Sequence, residues 1–520
     1  MLAKVHSAQV AGLKPDIIDV EVDISKGLHS FSIVGLPDKS VDEAKDRISA
    51  AIKNSGFKGP AHGSKKVIVS LAPADIKKEG PVFDLAIALA HLIATKEIKF
   101  DTKDKIFIGE LGLDGTLRAI KGALLIAQKA YKHGYKELYL PAENASEAAL
   151  IPGLKVYPVN NLRELVRHLS PIDGEAIKIS PSPRTVIKIK ENREAIDFSD
   201  VRGQETAKRG LIIAAAGRHN IAMSGPPGTG KTMLARAFAG ILPPLAFAQV
   251  LEATGIHSAA GLLDTGAFVT HPPLRSPHHT SSYVALVGGG ASPKPGEITL
   301  AHHGILFLDE FPEFERRVIE SLRQPLEDRV VTVSRAKGTS TFPANFILVA
   351  TMNPCPCGNR GSTSLTTSSP RKECICSQVA LQKYARRISG PIIDRIDLWV
   401  EVPQVDYEKL GKLRTNEQES QNVRKQIAEA RMIQRERFVN EKGKVSTNSE
   451  MSARDLERYA PLPEHERALL NASAKRLDLS ARAYHRVIKL ARTIADLDKS
   501  PGINENHLLE ALQYRPKQAL

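Results

Sequence analysis

Strand-like and helical runs alternate through residues 1–169. IIDVEVDI (17–24), KVIVSLAPAD (66–75) and KELYLPAEN (136–144) have strand composition. Between them, SVDEAKDRISAAIKNSG (40–56) carries apolar residues at helical spacing and stops on a glycine. FDLAIALAHLIA (83–94) predicts a buried helix, and GALLIAQKAYKHG (122–134) predicts another. Residues 170–192 hold three prolines and no amphipathic period, which predicts a linker. An α/β pattern follows over 193–403. From 404 to 520 the pattern is helical, with Val423, Ile427 and Ala430 on one face and Ala483, Val487, Leu490 and Ile494 on another. The expected fold class is therefore α/β, in several domains, as 520 residues exceed what one core organises. No internal repeat is visible. No stretch approaches eighteen consecutive apolar residues, so no membrane span is expected, and without a signal-peptide pattern the expected location is cytoplasmic.

The α/β segment carries the chemistry. NIAMSGPPGTGKTMLARAFAG places the loop Gly225-Pro226-Pro227-Gly228-Thr229-Gly230-Lys231-Thr232 between an apolar run and a helical pattern, as a P-loop requires. Its glycines let backbone N–H groups close on phosphates, Lys231 suits the β- and γ-phosphates of ATP, and the Thr232 hydroxyl suits Mg²⁺. GILFLDEF (304–311) is an apolar strand ending in two acids. Asp309 is expected to hold Mg²⁺ through water, and Glu310 to deprotonate the attacking water; an acidic helix cap is the plainer alternative. A third strand, FILVATMNP (346–354), ends on Asn353, which can stand between the γ-phosphate and the water. SGPIIDRIDLWVEVP (389–403) sets Arg395 before an apolar strand, where an arginine can reach a neighbouring subunit's nucleotide. Arg482 begins the amphipathic run of DLSARAYHRVIKLARTIADL (478–497). Spacing alone leaves a surface ion pair equally open for both arginines.

With these elements in order, the chain resembles the Mg-chelatase-like branch of AAA+ ATPases, and within it the YifB/ComM family, nearly end to end. The match is carried by FSDVRGQETAKRGLIIAAAGRHNIAMSGPPGTGKT, RSPHHTSSYVALVGGGASPKPGEITLAHHGILFLDEFPEF, IESLRQPLEDRVVTVSRAKGTSTFPANFILVATMNPCPCG and SGPIIDRIDLWVEVP. The resemblance implies a P-loop αβα sandwich with a parallel sheet over 193–403 and a helical C-terminal lid over 404–520. It implies that Asn353 is sensor 1, Arg395 the trans arginine finger and Arg482 sensor 2. It further implies a ring hexamer and, as in ComM-like members, a DNA motor that drives branch migration during natural transformation. A chelatase-type motor acting on a partner protein and a regulatory scaffold ATPase are the competing functions.

Residues 1–169 resemble the ribosomal-S5/Lon-protease-like α+β fold. A protease of that type needs a serine after Gly80-Pro81 and a lysine in the later helix; Val82 and Leu124 stand there instead, and neither supplies a nucleophile or a base. Peptidase chemistry is excluded, and an interaction or DNA-contacting module is expected.

Net charge and cysteines add two further expectations. The formal charge of +14 points to a polyanionic partner such as DNA, or serves solubility. The segment with Arg275, His278, His279 and Gly288 to Gly290 resembles the family's helix-2 insert and suits a flexible loop facing a pore. Residues 329–345 alternate like a hairpin with Lys337-Gly338 at the tip; in related motors this hairpin meets DNA, so Arg335 and Lys337 are candidate phosphate contacts, with a solvated basic turn as the alternative. His302 and His303 are expected to satisfy local hydrogen bonds. The four cysteines, Cys355, Cys357, Cys374 and Cys376, suit one tetrahedral zinc site within the sandwich domain, although CxC spacing departs from the commoner CxxC; free thiols or an iron–sulfur cluster are the alternatives.

Overall fold

The computed structural model describes residues 2–60, 65–171, 176–187, 189, 196–290, 293–335, 338–360, 373–404, 419–441 and 445–516. Lys337 and parts of the expected linker and of 404–418 lie outside them, and of Arg335 only the backbone is described. The chain divides into two compact units.

The first unit comprises Met1–Lys188 with Ala246–Thr270 and Gly290–Pro295. Its seven-stranded mixed sheet runs Ser30–Val34, Lys65–Ala72, Lys14–Lys26, Leu2–Ala11, Lys105–Phe107, Glu137–Pro141, Lys155–Val159. Alternation decides the buried face: Ile18, Val20 and Val22 on one strand meet Val67, Val69 and Leu71 on its neighbour, all fully buried. Helix Asp84–Ala94 is apolar nearly all round and is buried on nearly every side, as its sequence predicts. Leu124 is fully buried, and Val82 packs partly buried against the same core. Both expected dyad positions are thus filled by aliphatic packing. Helix Phe247–Ala260, which follows the P-loop region in sequence, belongs to this unit. The N–H of Gly122 donates to Ser258 Oγ at 3.0 Å, and a Cβ on Gly255 would lie 2.8 Å from Leu125 Cδ2.

The second unit comprises Ile189–Leu245, His271–Gly289 and Gly296–Leu520. Its five strands are all parallel, in the order Leu274–Arg275, Ile305–Leu308, Ile347–Met352, Ile221–Ser224, Leu398–Glu401. The two strands Ile305–Leu308 and Ile347–Met352 are buried at every residue, which is why they read as unbroken apolar runs. Helices Glu205–Gly217, Lys231–Ile241, Glu419–Arg437 and Ala481–Leu497 supply apolar residues to the core of this unit. Val423, Ile427 and Ala430 are buried as one helix face, as are Ala483, Val487, Leu490 and Ile494. Arg275 departs from the expected loop. It lies in the edge strand and pairs bidentately with Glu297 at 2.6 and 2.8 Å, so two charge-assisted bonds hold it in place. No helix among the described residues is long and apolar enough to cross a membrane.

Candidate functional site

Strand Ile221–Ser224 lies inside the parallel sheet and delivers the P-loop at its C-terminal end, where open α/β sheets hold ligands. Gly225 admits no side chain, because a Cβ there would fall 2.1 Å from the Val402 carbonyl oxygen. Gly230, at φ +86°, lets the chain turn into helix Lys231–Ile241, whose N-terminus carries a partial positive charge. Lys231 is buried, and its Nζ donates to the carbonyls of Gly225 and Pro226 at 2.6 and 2.8 Å and to Asn353 Oδ1 at 3.2 Å. Burial lowers its pKa, against the opposing charges of Asp309 and Glu310.

Asp309 ends the neighbouring strand and is gripped from three directions. The Thr232 hydroxyl donates to Oδ2 at 2.9 Å, the Thr351 hydroxyl donates to Oδ1, and the Glu310 N–H donates to Oδ1 at 3.1 Å. Thr232 and Asp309 thus lie together, a hard oxygen pair suited to Mg²⁺. Thr351 carries no motif of its own in the sequence; its signal is its place one strand over, two residues before Asn353. Glu310 adopts a left-handed backbone at φ +53°, uncommon for a non-glycine residue, and its side chain is more than half exposed. His279 Nδ1 approaches its carboxylate at 3.6 Å. The structure brings Lys231, Thr232, Asp309 and Asn353 to one end of the sheet, with Glu310 next in the chain. This arrangement can grip phosphates, hold a divalent cation and present a base to water.

Arg395 and Arg482 meet elsewhere in the same unit. Both donate to one carboxylate, Glu327, Arg482 Nη2 doing so at 3.0 Å. Arg395 Nη1 also donates to the Pro391 carbonyl at 2.7 Å. Among the described residues, these bonds connect neither arginine to Lys231, Asp309 or Glu310.

The four cysteine sulfurs lie within 4.8 Å of one another, and three of the separations are 3.3, 3.7 and 3.7 Å. Chain flanking the cluster touches the nucleotide loop. A Cβ on Gly358 would lie 2.7 Å from Pro227 Cδ, and the Tyr384 hydroxyl donates to the Asn353 carbonyl at 3.1 Å. The hairpin forms from Val330–Arg335 and Gly338–Pro343. Its closing pair is Arg335 opposite Gly338, so Gly338 belongs to the second strand rather than to the tip. His302 is buried and its Nδ1 accepts from the Asn345 N–H at 3.0 Å, a local bond of the kind its sequence position suggests.

Residues 197–410 match the family described as Magnesium chelatase, subunit ChlI, residues 20–144 that of Subunit ChlI of Mg-chelatase, and residues 417–515 that of Magnesium chelatase, subunit ChlI C-terminal. Competence protein ComM of Haemophilus influenzae is 40% identical over 523 residues, covering 99% of this chain and 97% of that protein. YifB of Escherichia coli is 40% identical over 516 residues, again 99% of this chain and 97% of that protein. A shorter stretch of 103 residues, 20% of this chain and 22% of its counterpart, is 34% identical to DNA repair protein RadA of Aquifex aeolicus.

Proposed function

The chain belongs to the Mg-chelatase-like family of AAA+ ATPases that includes ComM and YifB, and from that premise we propose that it works as a cytoplasmic ring hexamer that moves along DNA and remodels recombination intermediates. As a member of this family it is an ATPase that uses ATP and Mg²⁺. The observation that carries the mechanism is the convergence of Lys231, Thr232, Asp309 and Asn353 at the C-terminal end of the parallel sheet. Lys231 and the loop N–H groups grip the β- and γ-phosphates, and Thr232 with Asp309 holds Mg²⁺. Glu310 takes the proton from the attacking water, while Asn353 orients that water beside the γ-phosphate. Arg395 and Arg482 complete the site of a neighbouring subunit, where their charge stabilises the transition state. Their bonding to Glu327, apart from the P-loop of their own chain, supports that division.

Three features support DNA as the track: the formal charge of +14, the hairpin carrying Arg335 and Lys337, and the names of two relatives, a competence protein and a DNA repair protein. The domain scheme follows: 1–169 as a non-proteolytic interaction module, 170–192 as a linker, 193–403 as the motor core with its inserts, and 404–520 as the lid. The cysteine cluster holds a structural zinc ion. Zinc–sulfur bonds of about 2.3 Å in a tetrahedron put the sulfurs about 3.8 Å apart, close to the separations here. Such an ion cross-links the segment that leaves Asn353 and packs on Pro227.

Lys231→Ala is expected to abolish ATP binding, whereas Glu310→Gln binds ATP but hydrolyses it roughly 10²- to 10⁴-fold more slowly. Titration with a fluorescent ATP analogue distinguishes them; equal loss of affinity in both would refute this assignment of roles.

Elemental analysis of protein purified without chelator should return about one zinc per chain, and Cys374→Ser with Cys376→Ser should lose it. No metal, with all four thiols open to alkylation, would return the cluster to free cysteines.

Arg335→Ala with Lys337→Ala should weaken forked-DNA binding and flatten the slope of log affinity against log salt by about one for each phosphate that the variant no longer neutralises. Stimulation of ATP hydrolysis by that DNA should fall in parallel. An unchanged salt slope would remove the hairpin from the DNA path, and a parent protein indifferent to DNA would favour the chelatase-type or scaffold alternative.

A further inference from the structure

Glu327 lies near the end of the short helix Arg323–Asp328, and both of its carboxylate oxygens are engaged: Oε1 accepts from Arg482 and Oε2 from Arg395. The two arginines come from different elements. Arg395 precedes strand Leu398–Glu401 and its side chain is almost wholly buried, whereas Arg482 sits in the first turn of helix Ala481–Leu497 and is 57% exposed. The backbone of Arg395 is fixed, since its carbonyl accepts from Arg486 Nη1 at 3.0 Å and from Asn220 Nδ2 at 3.2 Å. The exposed Arg482 side chain has only Glu327 to hold its guanidinium among the described residues, and a free arginine samples many rotamers.

The three residues line a cavity of about 440 Å³ that carries excess positive charge. Of the other cations there, Arg486 pairs with Asp397 and Arg329 with Glu450, the latter at 3.2 Å, while Lys489 Nζ donates to the Ser449 carbonyl at 3.1 Å. Arg395 and Arg482 therefore share a single carboxylate between two charges. Burial raises the pKa of Glu327, but the charges of Arg395, Arg482 and Arg486 outweigh it and lower the value overall, so the carboxylate stays ionised. A guanidinium offers five N–H donors, and Glu327 engages one terminal nitrogen of each. Arg395 Nε is buried without a hydrogen-bond partner.

We infer that Glu327 is a positioning residue that holds Arg395 and Arg482 side by side as one two-armed clamp for a phosphate anion. The inference rests on the proposal that both arginines serve a neighbouring subunit's ATP. Glu327 touches no substrate in this scheme; it fixes the spacing of the two guanidiniums and leaves their remaining donors to the phosphate. A bidentate carboxylate suits that task, because it bridges two like charges that otherwise repel.

The test compares steady-state ATP hydrolysis by the assembled full-length protein with Glu327→Ala, Glu327→Asp, Arg395→Ala, Arg482→Ala and the Glu327→Ala/Arg482→Ala pair. Glu327→Ala should lower kcat roughly 10- to 100-fold, the scale of a small misplacement of catalytic groups, with KM for ATP little changed. Glu327→Asp should restore part of the rate. In the Glu327→Ala background, Arg482→Ala should cost far less than it does alone, because the clamp is already broken. Size-exclusion and thermal melting should match the parent, since Glu327 is itself nearly half exposed. An unchanged kcat for Glu327→Ala, while each arginine variant is impaired, overturns the inference and spares the trans-arginine proposal. A raised kcat also overturns it, since Glu327 would then compete with the phosphate. Unimpaired arginine variants overturn the proposal and the inference together.

Discussion

A buried carboxylate at the start of the outermost strand, Asp397, fixes the geometry of the ATPase unit. It accepts from the Asn220 N–H at 3.0 Å and pairs with Arg486, while Asn220 Oδ1 accepts from the Leu348 N–H at 2.9 Å. Three adjacent strands are thereby locked in register at their N-terminal ends. Burial alone would raise the Asp397 pKa; the Arg486 charge, His219 and the Asn220 N–H outweigh it and hold the carboxyl well below the usual range. Breaking a buried pair of this kind costs on the order of 3–5 kcal/mol, because the remaining charge is left uncompensated.

The same knot separates two pieces of chemistry. Asn220 directly precedes strand Ile221–Ser224 and Gly225 directly follows it, and five residue steps of extended chain span about 16 Å. The P-loop, Asp309 and Asn353 occupy the C-terminal end of the sheet, while Arg395 is tied through its carbonyl to Asn220 at the other. The backbone of Arg395 is thus held at the end of the sheet opposite the phosphate grip of its own chain.

Much of this was legible in the sequence wherever the chemistry is local. The glycines around Lys231, the apolar run ending at Asp309 and the strand ending at Asn353 each carry their signal within a few residues, and their convergence follows from parallel strands sharing an end. The helix faces of 404–520 were legible for the same reason. Residues whose roles depend on distant partners were not. Thr351 and Asn220 look like ordinary strand positions, Glu327 like one acid among several, and Gly358 gives no hint that it packs on Pro227. Arg275 was expected in a flexible loop because its partner Glu297, twenty-two residues on, could not be anticipated. Nor does local pattern reveal that Ala246–Thr270, within the motor segment of the chain, joins the first compact unit.

A mixing experiment tests the shared site most directly. One set of subunits carries Lys231→Ala, which keeps the arginines and loses the phosphate grip. The other carries Arg395→Ala with Arg482→Ala, which keeps the grip and loses the arginines. Each set alone should hydrolyse ATP poorly. Co-assembled, they form interfaces where an intact P-loop meets intact arginines, and hydrolysis should rise well above the sum of the two preparations. Activity no greater than that sum, in mixed assemblies verified by differential tagging, would contradict a nucleotide site built from two subunits.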